Sequence, residues 1–246
     1  DGDDYVINGQ KMWTSLASDA DYCWLAVRTD QDAPKHKGIS MIIVDLKNTP
    51  GITVEPLNLL SSHDINAVYY DNARVPAANV VGGLNKGWGL ITNQLNHERV
   101  TLCSSGLLEQ SYQETVAFAA SQSGERGGRL IDDEWVQLNL ARVRSGLDFL
   151  RLINWKVASS SQLDIGDAST IKIFGTEFYL ESFRLLMEII GPRAYLARNS
   201  AAEALHGRME MNFRSLLILT FGGGTNEIQR DLIAMFGLGL PRSLRG

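Results

Sequence analysis

Phe221-Gly222-Gly223-Gly224-Thr225-Asn226-Glu227-Ile228-Gln229-Arg230 runs three glycines into a threonine and then into residues that favour a helix. Glycines carry no side chain to cover their backbone, so several N–H groups are left open where a helix begins, an arrangement suited to an anionic or carbonyl oxygen. The short helix expected after Thr225 ends at Gly237.

Moving back from this segment, three longer helices precede it. One is expected from about Asp167 to Ile190, stopped by Gly191-Pro192, and another from Asp133 to about Ser159, with Trp135, Leu138, Leu147 and Leu150 available for packing. A third runs from Trp88 to about Gln122, carrying Ile91, Leu95, Leu102 and Tyr112 at helical spacing, and Ser123 to Arg129 breaks it. Long helices with short breaks predict antiparallel neighbours in an up-and-down four-helix bundle. Before Pro76 the pattern is that of strands: Tyr5 to Trp13 around an Asn8-Gly9 pair, which is a hairpin signal, then Tyr22–Arg28, Gly38–Asp45, Ile52–Leu57 and Ala67–Tyr70. The fold class predicted is α+β: a partial antiparallel β sandwich or barrel over residues 1–84, then the four-helix bundle over 85–246. The strand run starts so near residue 1 that the sheet is expected to lack its first strands.

Composition is that of a globular enzyme or part of one: 246 residues, 44% hydrophobic and 21% charged, enough to bury a sizeable core. A net charge of −5 and the lack of a basic stripe exclude nucleic acid as the expected partner. No apolar run reaches the roughly 18 to 20 residues of a membrane span. The acidic opening Asp1-Gly2-Asp3-Asp4 is unlike a targeting peptide. Cys23 and Cys103 lack metal-ligand spacing and read as buried free thiols of a reducing compartment, hence a cytoplasmic location, or the mitochondrial matrix in a eukaryote.

The glycine–threonine string resembles the flavin and thioester signature of acyl-CoA dehydrogenases. Further matches follow in order along nearly all 246 residues: Asn8 to Ser15, Asn72 to Pro76, Asn85-Lys86-Gly87-Trp88, His97-Glu98-Arg99 and Gly191-Pro192-Arg193. The resemblance implies the second half of that family's β domain and its whole C-terminal bundle. It also implies FAD as cofactor, an acyl-CoA substrate, an electron-transferring flavoprotein as electron acceptor, and a homo- or hetero-tetramer.

Carried over residue by residue, the resemblance puts Trp13 against the isoalloxazine ring, with Thr14 and Ser15 beside it. A packed core tryptophan is the bland alternative for Trp13. Glu188, Ile189 and Gly191 fall at the turn near the adenine half of FAD, where the sequence departs from the usual residues and only backbone contact carries over. Gly224, Thr225 and Glu227 match cofactor-contacting positions, Thr225 also being a natural helix cap. Arg126 matches an arginine that reaches the pyrophosphate of an adjoining subunit, but the Phe-Gly pair usual after it is missing, and Arg129 is an alternative. Arg99 and Gly222 are placed with the substrate.

Most of the family carries its catalytic base two residues before the threonine, where this chain has Gly223. The Glu-Arg pair on the earlier helix is the family's known alternative, and Glu98-Arg99 matches it. Glu98 shares a helical face with Ile91, Leu95 and Leu102, so its carboxylate is expected to be desolvated and tuned upward as a general base. The competing reading makes Glu98 an ion-pair partner for an arginine of another helix. The backbone N–H of Gly223 remains able to polarise the thioester carbonyl. The glycines clear volume, which suggests a branched or bulky acyl group.

Overall fold

The computed structural model describes residues 1–61, 64–124, 127–200 and 205–242. The chain forms two compact units, Asp1–Gln94 and Leu95–Gly246.

In the first unit, strands β1 (Asp4–Ser15), β4 (Ile52–Pro56) and β5 (Ile65–Pro76) form an antiparallel sheet in the order β1-β5-β4, and β2 (Tyr22–Arg28), β3 (Ile39–Asp45) and β6 (Val80–Val81) form a second in the order β2-β3-β6. Alternate residues point inward. Leu25, Ile42 and Val44 from one sheet share a core with Val68, Tyr70, Ala73 and Val75 from the other, which makes the unit a small sandwich. The Asn8-Gly9 pair does not turn the chain back. β1 continues through it, with a register shift against β5 between Ile7 and Gly9, where Asn8 and Asn72 bond each other: Asn72 N donates to Asn8 Oδ1 at 2.8 Å. A long partner strand lay across β1 on both sides of the pair, and the extra residue was absorbed as a bulge.

The second unit is helical. Helix α1 (Gly87–Thr101) enters it, followed by α2 (Gly106–Ser121), α3 (Glu134–Ala158), α4 (Ile165–Ile190), α5 (Arg208–Leu216) and α6 (Asn226–Leu232), which runs on in a π turn, Ile233–Gly237. α4 is the central element and packs on α2, α3, α5 and α6. It starts at Asp164, whose side chain accepts the Asp167 N–H at 2.9 Å, and stops at Gly191, where φ of 73° ends the helix. Ile171, Phe183 and Leu186 of α4 meet Val143, Leu147 and Leu150 of α3 in the main core.

The single helix expected over residues 88–122 is two. The chain breaks between α1 and α2, and the carbonyls that the break frees are caught from other helices: Asn154 Nδ2 donates to the Cys103 carbonyl at 3.0 Å, and the Tyr179 hydroxyl donates to that of Ser104. A Cβ on Gly175 would lie 2.5 Å from the Cys103 Cβ, so α4 carries a glycine where the break presses on it. Cys103 is fully buried and burial pushes its thiol up to about 12, whereas Cys23 is half-buried. α5 was not legible as a separate helix.

Candidate active site

The centre of the site is the meeting of α1 with the loop before α6. Arg99 is the most buried side chain of α1, 7% exposed. Its Nε donates to the Gly223 carbonyl at 3.1 Å and its Nη1 to Asn96 Oδ1 at 2.6 Å. Burial pulls the guanidinium down from its usual range while neighbouring Glu98 pushes it back up. Glu98 precedes Arg99 on the helix and is half-buried, not sealed in. The expected apolar stripe is therefore corrected: Ile91, Leu95 and Leu102 are themselves only partly covered, and the buried face of α1 belongs to Arg99. Among the described residues no salt bridge joins Glu98 to an arginine of another helix, and the cation that feels its charge is Arg99 of its own helix.

Gly223 and Gly224 have φ of 68° and 95°, a left-handed backbone that a side chain would strain. A Cβ on Gly223 would sit 3.3 Å from Leu102 Cδ1 and 3.6 Å from Arg99 Cγ, and one on Gly224 would sit 2.7 Å from Gln229 Nε2. The space left by these two glycines is thus filled by the chain's own side chains. Only Gly222 opens onto room, with nothing nearer than 3.8 Å. Thr225 caps α6 through its hydroxyl, 3.4 Å from the Ile228 N–H. Glu227 is exposed, and its own backbone amide and the Thr225 hydroxyl hold its carboxyl below the ordinary range.

A buried polar network under the loop escaped sequence reading. Lys172 of α4 is fully buried, and its Nζ donates to Asn226 Oδ1 at 2.7 Å and to the Thr220 carbonyl at 3.1 Å. Asn226 Nδ2 donates to Thr176 Oγ1 and to Glu177 Oε1, both at 3.1 Å, and Arg230 closes the set on Glu177 at 2.6 Å. Both ends of the loop are thereby tied to α4. A sequence signal existed: Lys172 falls in helical register with Thr176, Tyr179 and Phe183 on the face of α4 that is buried.

The flavin-facing candidates of the first unit lie at the end of β1. Trp13 has φ of 64° at a second bulge, between Lys11 and Thr14, and is 65% exposed. A bulky residue with left-handed backbone is an outlier that the surrounding structure must enforce. Here Asn66, fully buried, donates from Nδ2 to the Thr14 carbonyl at 3.2 Å and accepts from Ser18 Oγ at 2.8 Å. The packed-core alternative for Trp13 fails, since its ring is displayed. Ser15 is exposed and Thr14 half-buried.

Other candidates stand apart. Glu188, sixteen residues beyond Lys172 on α4, is about 24 Å away along the axis. It is exposed and accepts a bond from Asn139 at 3.2 Å. Ile189 is in the core, which leaves only its backbone for a ligand. Arg126 lies outside the described residues. Arg129 is held by Asp132 through bonds of 3.0 and 2.9 Å.

Residues 1–73 match the acyl-CoA dehydrogenase middle domain and residues 85–238 the acyl-CoA dehydrogenase C-terminal domain, so the second match begins within the first compact unit. The chain belongs to the acyl-CoA dehydrogenases. It is 52% identical over 254 residues to acyl-CoA dehydrogenase FadE26 of Mycobacterium tuberculosis (strain ATCC 25618 / H37Rv), which covers 100% of this chain and 63% of FadE26. FadE29 of the same organism is 44% identical over 244 residues, 98% of this chain and 62% of its own length. Among solved structures, the ChsE4-ChsE5 complex from Mycobacterium tuberculosis superposes with a TM-score of 0.92 at 53% identity, covering 99% of this chain and 63% of that one. The Tcur3481-Tcur3483 steroid ACAD gives 0.92 at 41% identity, covering 99% and 62%. The chain spans somewhat less than two thirds of the length of these acyl-CoA dehydrogenases. The family is FAD-dependent, and no described helix is long and apolar enough to cross a membrane.

Proposed function

We propose that this chain supplies the thioester-facing part, and part of the flavin-facing surface, of an acyl-CoA dehydrogenase that forms a trans-2-enoyl thioester with Glu98 as base. The observation that carries the reading is the Arg99–Gly223 bond. It joins the turn of α1 that bears Glu98 to the glycine loop that offers backbone donors, while Glu98 itself stays partly open.

Glu98 takes the α-proton of the acyl group. The Gly223 N–H donates to the thioester oxygen as negative charge grows on it, a kind of contact that matters most in a partly dry site. Bound FAD supplies the acceptor for the β-hydride. Each unit by itself carries residues that fit such a group: the first has the exposed flat ring of Trp13 and the exposed hydroxyl of Ser15, and the second has the Gly224 and Thr225 N–H groups, which find no backbone acceptor among the described residues. An electron-transferring flavoprotein would be the partner that takes up the electrons.

The acyl group is bulky, of the steroid-bearing class. Support comes from the likeness to a steroid ACAD and not from the glycines, whose space Leu102, Arg99 and Gln229 already fill. The assembly is a tetramer, and the two-component make-up of the similar ChsE4-ChsE5 and Tcur3481-Tcur3483 structures favours a hetero-tetramer. Exposed Trp135, Leu138, Phe149, Leu152 and Trp155 on α3 are apolar surface that a subunit contact would cover. That two-component make-up also favours a second reading, in which this protomer completes the flavin site of a partner that holds the base.

Glu98→Gln in the full-length protein with its partner separates the two. Flavin content and binding of a substrate analogue should persist, and flavin reduction in a single turnover should slow by about 10²- to 10⁴-fold. Reduction at the wild-type rate would move the base to the partner.

A further inference from the structure

The geometry points to Gln229 as a positioning residue that aims the glycine-loop amides at the thioester carbonyl. This rests on the preceding assignment of the loop as the carbonyl's donor. Gln229 lies on α6, is fully buried, and donates from a single Nε2 to two backbone carbonyls, Gly223 at 3.2 Å and Gly224 at 3.3 Å. Arg99 Nε is the second donor on Gly223. Two acceptors facing one nitrogen settle which end of the amide points inward. The other end, Oε1, is buried without a donor among the described residues. An unsatisfied buried acceptor costs about 1–3 kcal/mol. A Leu or Met of similar volume would avoid that cost, so the position uses the two hydrogen bonds.

Their effect follows from peptide geometry. In a trans peptide the C=O and the following N–H point in opposite directions. Pulling the Gly223 and Gly224 carbonyls inward turns the Gly224 and Thr225 N–H groups outward. On the other side of the loop the Gly222 N–H is anchored on the Ile218 carbonyl at 3.0 Å, so the peptide carrying the Gly223 N–H is held between two fixed points. Among the described residues, none of the three N–H groups from Gly223 to Thr225 finds an acceptor within the chain. The charged bond from Arg99 further polarises the peptide whose carbonyl it meets. The lack of a side chain on residue 224 has the same origin, since a Cβ there would sit 2.7 Å from Nε2.

The test uses full-length, FAD-loaded protein with its partner, and reads the carbonyl stretch of a bound, unreactive acyl thioester by difference infrared spectroscopy. In wild type the band should move to lower frequency on binding. Gln229→Met, which removes the donor at similar volume, and Gly224→Ala, which displaces Nε2, should each lose at least half of that movement. Turnover should fall about 10-fold or more, less than the roughly 10²–10³ for deleting an oxyanion donor outright, with KM little changed. A merely structural role would lower the melting temperature and leave the band where it is. The wild-type band position in either variant, at full flavin content, overturns the proposal. Failure of the loop assignment itself looks different: the band would not move in the wild type.

Discussion

Lys172→Met gives the sharpest test of the buried network, because the difference between the two proteins should depend on pH in a direction that can be worked out. Burial depresses the Lys172 ammonium from 10.5 to about 8, Arg99 adds to the depression, and Cys103, Glu227 and Glu177 oppose it. Below the folded value the proton is bound in both states and the fold bears the full cost of a buried charge. Between about 8 and 10.5 the unfolded chain still holds the proton and the folded chain has released it, so the unfolded state binds more protons and stability rises with pH. The gap corresponds to about 3 kcal/mol, at about 1.4 kcal/mol per pH unit. Methionine cannot titrate and should lack this rise. At neutral pH the variant also gives up the bonds to Asn226 and the Thr220 carbonyl, about 1–3 kcal/mol for each acceptor left unpaired, which offsets the relief of the charge. The pH slope is therefore the discriminating quantity. Urea unfolding of this chain and of the variant, followed by far-ultraviolet circular dichroism at several values from pH 7 to 10.5, yields a difference curve. Subtraction removes the opposing contribution of Cys103, whose raised thiol makes stability fall above its unfolded value of 9.0. A flat difference curve between pH 8 and 10.5 would refute the reasoning, since it would mean that Lys172 keeps an ordinary ammonium in the fold.

Two further outcomes are expected. Tyr179→Phe strips the donor from the Ser104 carbonyl at the α1–α2 break and should cost about 1–3 kcal/mol in urea unfolding; a change below about 0.3 kcal/mol would mean that solvent replaces the bond. Gly223→Glu, which puts a carboxylate at the family's commoner base position, should destabilise this chain by about 1–2 kcal/mol from its left-handed backbone alone, with the Leu102 contact adding to that. In the full-length Glu98→Gln protein it should for the same reason restore little flavin reduction, and recovery to wild-type turnover would show that the loop repacks freely.

By itself the sequence determined what local chemistry controls. Strand β2 coincides with the Tyr22–Arg28 expected from its β-branched and aromatic run, and α4 ends at Ile190 because Gly191-Pro192 cannot continue a helix. The order of short motifs was enough for the family, because that order does not depend on what lies across from a residue in the fold. Tertiary structure decided everything that depends on what lies across from a residue. Asn8-Gly9 became a bulge because β5 spans it, and α1 parted from α2 because Asn154 and Tyr179, from two other helices, satisfy the freed carbonyls. Arg99 meets Gly223 across 124 residues of sequence, Lys172 meets Asn226 across 54, and Asn66 reaches Thr14 across 52. Such contacts leave no periodicity in the sequence. Gln229 reads as one more polar residue on a short helix until folding encloses it, and only then do its two donors select the direction of the glycine-loop amides.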